Sequence, residues 1–559
     1  MKTVLPFFIL SIGFIILSCA PDETADLILH NGKIVTVDNE FPEAEAVAIR
    51  GNTIIAAGTN EEIEIHRGTE TEVIDLAGKL AIPGFIEGHG HFTGIGNAMM
   101  QLRLGDTRNW DEIVRMVADA VDDAGPGDLI RGRGWHQEDW DTRPEPGVQG
   151  LPVHHSLSEI SPENPVVLTH ASGHMSFANA RAMEIAGITL ETDNPAGGEI
   201  VRDADGNPTG VLRQTAQGLL SPVNELWDPD VYEQIEYATR EVVSKGVTSF
   251  QDAGSSFREI DAFKELAGNG ELGVRLWVMI REPNERLEEK LAAYRTIGYG
   301  DNFLTVRGIK RAIDGALGTH GAWLIEPYTD RPETKGFNTT AIEYIEETAR
   351  LAIDHEYQLC VHAIGDRGNR ETLDIYERTF EQYSHDGDLR WRIEHAQHLH
   401  PADIPRFAEL GVIASMQGIH CTSDGPWVVT RVGEERARTG AYAWRNLLDS
   451  GAVIVNGTDA PVEDVDPITS FYASVARMMD DGNAFFPEQA MTREEALRSY
   501  TIDAAYGAFE EDIKGSITPG KLADIVVLSK DIMTVPDEEI LDAEVVYTII
   551  DGRVVFERD

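Results

Sequence analysis

A chain of 559 residues, 42% hydrophobic and 25% charged, has the composition of a folded globular protein and is long enough to bury a large core. Its formal net charge of −48, with 95 acidic against 47 basic residues spread along the chain, excludes a nucleic-acid partner, which needs clustered Lys and Arg. Three cysteines are too few for a disulfide framework.

Residues 1–19 begin with Lys2, run through apolar residues from Val4 to Leu17 and end in Ser18-Cys19, the pattern of an export signal rather than a spanning helix. The ending Ile16-Leu17-Ser18-Cys19 resembles the lipobox of bacterial lipoproteins. That resemblance implies loss of residues 1–18 and a lipid on Cys19 that tethers the exported protein to the cell envelope, with Ala20 fitting outer-membrane sorting. Of the other two cysteines, Cys360 lies in an apolar run and reads as an inert buried thiol.

Residues 24–82 alternate as short strands with turn residues between them (ADLILHNGKIVTVD, AEAVAIRGNTIIAAG, TEVIDLAGKLAIPG), and 515–559 repeat the habit in ADIVVLSKD and AEVVYTIIDGRVVFE. Two β-rich ends around a long middle predict one small sandwich built from both termini. Two separate flanking hairpins are the alternative.

Residues 83–94 and 226–514 hold eight apolar, strand-like runs: IPGFIEGHGH, GVTSFQDAG, LGVRLWVMI, LTVRGIKRAIDG, YQLCVHAIGD, WRIEHAQ, GVIASMQGI and AVIVNGTDA. Helical patterns over 340–355, 366–382 and 493–507 alternate with or follow them, so the fold class is α/β and the architecture a closed (β/α)8 barrel. An open doubly wound sheet would call for a glycine-rich phosphate turn, and none is present. The gap from His91 to the second strand far exceeds a βα loop, so 95–225 reads as an inserted lid or substrate subdomain.

The six candidate ligands in these runs fall at one end of the strands, where a barrel of this kind builds its site. Strand one ends in His89 and His91, strand four carries Lys310, strand five His362, strand six His395 and strand eight Asp459. Two histidines spaced by one residue point the same way and can share a divalent cation. Lys310 cannot ligate as an ammonium. It either pairs with Asp314 or a substrate carboxylate, or is carbamylated by CO2 into a ligand that bridges two metals. Asp459 can ligate and also take the proton of water whose pKa a metal has lowered, then pass it to a leaving nitrogen. Its bland alternative is an N-cap for the following helix.

PGFIEGHGH, Lys310 in GIKRAIDGALG, VHAIGD, IEHAQ and GTDAP, with GRGWHQEDW, SGHMSFAN, GGEIVRDADGNPTGVL and the closing GSITPGKLADIVVL, resemble the amidohydrolase superfamily. The likeness is to its amidohydrolase-3 branch of YtcJ-like proteins and N-substituted formamide deformylases. The resemblance implies His89, His91, Lys310, His362, His395 and Asp459 as metal-site residues for one or two divalent ions, zinc above all. It implies hydrolysis of a carbon–nitrogen bond in an amide, formamide or cyclic amide.

Trp135, His174, His320, His420 and Asp424 are candidate substrate contacts, each with a bland alternative as a packed or surface residue. An N-acyl amino acid hydrolase or peptidase would add a cation for a carboxylate, with Arg281 and Arg367 as donors. A silent, lipid-anchored binding protein is the rival of another class. The partner is a small molecule, and a homodimer stays open.

Overall fold

The computed structural model describes residues 24–137, 140–170, 175–195, 198–383 and 387–558, which divide into two compact units. Cys19, with the export signal, and His174 lie outside the described residues. None of the helices among those residues is long and apolar enough to cross a membrane.

The first unit joins the described residues up to Phe85 with those from Thr501 onward. One sheet orders Thr53–Gly58, Ala46–Arg50, Leu27–His30 and Glu72–Asp75; the other orders Arg553–Glu557, Val545–Ile550, Ile525–Leu528, Leu80–Pro83, Lys33–Val35 and Glu43–Ala44. The two ends of the chain meet in the second sheet, where Leu80–Pro83 runs antiparallel to Ile525–Leu528 with Ala81 opposite Val527. Period-two alternation sends Leu27, Leu29, Val47, Ile49, Ala81, Ile525, Val527 and Ile549 into one core. The unit resumes at Thr501, ahead of the expected 515. Backbone and side-chain bonds from Leu522 to Ile513 (2.8 Å) and from Lys521 Nζ to Glu511 (2.6 Å) bind that stretch to the sandwich.

The second unit, Ile86–Tyr500, holds the barrel. Its strands are β1 (Phe85–Gly90), β2 (Val247–Ser255), β3 (Arg275–Ile280), β4 (Leu304–Ala312), β5 (Gln358–Ala363), β6 (Arg392–His395), β7 (Ile413–Gln417) and β8 (Ile454–Gly457), neighbours in that order. All six pairings from β2 to β8 are parallel. The ring closes where Asp459 donates its N–H to the His89 carbonyl and His91 to that of Ala460, both at 2.7 Å. The expected barrel, its insertion and the terminal sandwich are thus all present.

Strands covered on both faces read as largely apolar runs, and Arg275–Ile280 and Ile413–Gln417 are buried at every position, the polar Arg275, Ser415 and Gln417 included. Helices begin with local signals: Ser256 caps Phe257–Asn269 in a capping box with Glu259, and Asp466 caps Pro467–Ala476. The insertion has its own six-stranded sheet, from Leu102–Arg103 to Gly198–Arg202, packed on a core of Trp110, Trp135, Trp140, Leu168 and Phe177.

Candidate metal centre

The floor of the lumen is a buried ion network. Arg392 is fully buried and donates to Glu394 Oε1 (2.8 Å), Ser415 Oγ (2.7 Å), the Gly88 carbonyl (2.7 Å) and Gln251. Glu394, equally buried, accepts from His89 Nδ1 on its other oxygen. Burial alone would raise the Glu394 carboxyl, but Arg392 and His89 hold it well below the usual carboxylate range. Glu394 therefore fixes the His89 tautomer and leaves Nε2 free to face the rim.

Above this floor the six rim residues converge. Lys310 Nζ lies 3.2 Å from His89 Nε2; Asp459 Oδ1 lies 3.5 Å from His89 Nε2 and 3.2 Å from His91 Nε2. The His395 ring stands 4.8 Å from that of His89 and 4.5 Å from that of His362. His395 Nδ1 is bound to Gln417 Oε1 at 2.8 Å, again leaving Nε2 for the rim.

Burial, with the Lys310 charge second, drives His89 down to about 4 and His362 down to about 3. Burial also drives His395 well below the imidazole range. All three are neutral at physiological pH and offer lone pairs rather than protons. Burial would raise Asp459, yet His91, His395 and His89 keep it well below the usual range, so it is ionised. Burial lowers the Lys310 ammonium against the opposing pull of Glu394 and Asp459.

Three backbone outliers at two places make this convergence. In an ordinary strand Glu394 and His395 would point to opposite faces, but His395 has φ +75° and Ala396 φ +43°, a left-handed turn that puts both side chains in the site. Asp459 has φ +59° just beyond β8. Such conformations cost of order 1–3 kcal/mol each in a non-glycine residue.

The remaining candidates separate clearly. His420 is buried on the helix His420–Val432, its ring stacked 6.3 Å from that of His395. Gln397 Nε2 donates to His420 Nδ1 (3.1 Å), so the ring proton sits on Nε2, and Nε2 has no hydrogen-bond partner. Asp424 accepts from Tyr442 Oη, and burial raises its carboxyl. His320 is engaged with Asp330 (3.1 Å), which also pairs with Arg431. Trp135 corrects an expectation: it is fully enclosed in the core of the insertion, its Nε1 donating to Leu168 O (3.2 Å), and it shows a substrate no surface. Arg367 pairs with Glu371 and lies over Trp323, 5.5 Å from the ring centre.

Sequence reasoning missed Glu394, Arg392, Gln417 and the buried Glu87, whose carboxyl burial raises to about 8 while Oε1 accepts from the Thr458 N–H at 2.6 Å. Glu394 sat in view in IEHAQ, but alternation pointed it outward.

A parallel eight-stranded barrel with imidazoles, a buried lysine and an ionised aspartate at the strand C-terminal ends defines a hydrolase-type (β/α)8 protein. The amidohydrolase family model matches residues 72–556, and the chain belongs to that family. It is 33% identical to LONG AFTER FAR-RED 3 of Arabidopsis thaliana, over 95% of this chain and 92% of that protein. It is 30% identical to YtcJ of Bacillus subtilis (95% and 99%) and 27% identical to the N-substituted formamide deformylase of Arthrobacter pascens (95% and 98%). The branch read from the motifs is borne out. Among solved structures, an uncharacterized metal-dependent hydrolase of Pyrococcus furiosus superposes with a TM-score of 0.73 at 27% identity, over 91% of this chain and all of that one.

Proposed function

We propose that this protein is a metal-dependent hydrolase that cleaves a non-peptide carbon–nitrogen bond in an amide, formamide or cyclic amide. One observation carries the reading: Asp459 Oδ1 and His362 Nε2 are buried at the rim with no hydrogen bond of good geometry, Asp459 Oδ1 facing His91 Nε2 at 3.2 Å, beside neutral His89 and His395. Buried polar atoms left bare cost free energy unless a ligand fills them. Ligand atoms of His89, His91 and Asp459 lie within 4.8 Å of one another, a spacing and donor set that fit a divalent ion, zinc by chemistry. The deformylase relative supports the bond class.

When bound, the ion would polarise the scissile carbonyl and bring water's pKa near neutrality. Asp459, kept ionised, accepts the proton of the attacking water at Oδ1 and returns it to the departing nitrogen. The bare His420 Nε2–H donates to the carbonyl oxygen as charge develops there. Glu394 and Arg392 hold His89 in position. The Lys310 amine, whose charged form burial disfavours, would add CO2 with loss of a proton, and the carbamate together with His362 and His395 would hold a second ion. On the same reading Cys19 carries the lipid that holds the exported protein at the cell envelope; acyl labelling lost in Cys19→Ala checks it.

The test is metal per chain by elemental analysis on protein starting after Cys19, purified with zinc and bicarbonate, with hydrolysis of N-formylbenzylamine and a dipeptide. Two metals falling to one or none in Lys310→Ala support the carbamate, and one metal indifferent to Lys310 removes it. Absence of metal, or cleavage of the dipeptide alone, overturns the proposed activity.

A further inference from the structure

Arg281 follows the last residue of β3, and its position is set by register. Ile280 is opposite Ile309 on β4, so Arg281 stands level with Lys310. Alternation gives the same face: Trp277 meets Arg392 in the lumen, and Trp277 and Met279 both press on Gly308. The next residue in that series is Arg281. Its N–H donates to the Ser255 carbonyl at 2.9 Å, which fixes the start of the side chain. Its stem crosses Gly254, where a Cβ would come within 3.0 Å of Arg281 Cδ and 3.2 Å of its Cβ. Gly254 also has φ +138°, so the chain keeps a glycine where the arginine needs passage.

The guanidinium is exposed at the rim, and among the described residues no carboxylate pairs with it. Other arginines behave differently: Arg286, on the next turn of chain, pairs with Glu282 at 2.6 Å, and the floor arginine Arg392 pairs with Glu394. Arg367, the other rim candidate, is already engaged by Glu371. In a chain with twice as many acidic as basic residues, an unpaired cation facing a metal centre works against metal binding. An anionic substrate group removes that conflict.

We propose that the substrate carries a carboxylate close to the scissile bond, and that Arg281 receives it. A lone guanidinium matches a carboxylate with two parallel N–H···O bonds. The proposal rests on the carbon–nitrogen hydrolase reading above and narrows it to N-acyl amino acids and related acids.

The test uses two substrates that differ only by the carboxylate, N-formylphenylalanine (racemic) and N-formylphenethylamine, with the zinc-loaded wild type, Arg281→Met and Arg281→Lys. We expect the acid to be preferred in kcat/KM by roughly 10–100-fold in the wild type, as for a hydrogen bond to a charged group. The ratio should fall near unity in Arg281→Met and stay intermediate in Arg281→Lys. A wild-type ratio near unity, or one that survives Arg281→Met, overturns the assignment. The second measurement needs no turnover: calorimetric binding of N-benzylglycine should weaken about 10-fold in Arg281→Met, and equal affinity overturns the assignment. Cleavage of the neutral formamide without preference for the acid leaves the hydrolase reading standing and removes Arg281. Arg281-dependent binding without cleavage of either substrate does the reverse.

Discussion

Glu394→Gln keeps the shape of the side chain and removes one charge from the floor of the lumen. Two consequences separate in kind. His89 Nδ1 loses its ionised acceptor, and outer-shell changes of this type cost 10–100-fold in metal affinity. Arg392 loses its carboxylate partner while remaining bonded to Ser415, the Gly88 carbonyl and Gln251. Breaking a buried pair on one side costs about 3–5 kcal/mol, and the three neutral acceptors place the expected loss at the lower end. The assay is chelator competition for zinc affinity, beside urea unfolding of the metal-free protein. Glu394→Gln should lose both affinity and stability, whereas Arg392→Met with Glu394→Gln should regain stability and leave affinity low. Wild-type affinity in Glu394→Gln would refute the claim that this carboxylate orients His89.

His420→Asn should lower kcat by about 10²–10³-fold, as for loss of one oxyanion donor, with metal content unchanged; a shift confined to KM argues against the assignment. In the metal-free protein His89 takes up a proton at about 4 and the unfolded chain near 6.5, so the unfolded state binds more protons between those values. Stability should therefore fall as pH drops from about 6.5 toward 4, by up to about 1.4 kcal/mol per unit, and His89→Asn should flatten that slope in a melting series. Glu87 works the other way: its proton stays on to about 8 when folded and leaves near 4.5 when unfolded, so stability declines as pH rises through that window. Glu87→Gln should abolish that part of the decline, and an unchanged profile would show that Glu87 is ionised. Trp135→Ala, which empties a fully enclosed ring site, should cost about 3–5 kcal/mol by urea unfolding.

The barrel was legible because strands buried on both faces read as largely apolar runs, and a metal-ligand type of residue near the end of five of the eight marks the rim. His89, His91, Lys310, His362, His395 and Asp459 could be picked out by that rule, and the structure brings them together. The rule fails where the backbone leaves the strand: φ +75° at His395 sets Glu394 and His395 side by side, and no residue type in IEHAQ announces it. Trp135, in a glycine-containing segment, reads from sequence as a candidate substrate contact, yet it packs with Trp140 at 5.8 Å inside the insertion. The engagement of His320 by Asp330, ten residues on, depends on a loop path that periodicity does not encode.

Closure of the ring through Asp459 and His89 has a bearing on biosynthesis. Thr458 and Glu87, bonded across the same seam, are 371 residues apart in the chain. At 5–20 residues per second the first strand waits roughly 20–70 s on a ribosome before its last neighbour is made. His89 and His91 spend that interval without Asp459, so the ligand set cannot be complete in a nascent chain. Metal capture is then a late checkpoint that a truncated product would never pass.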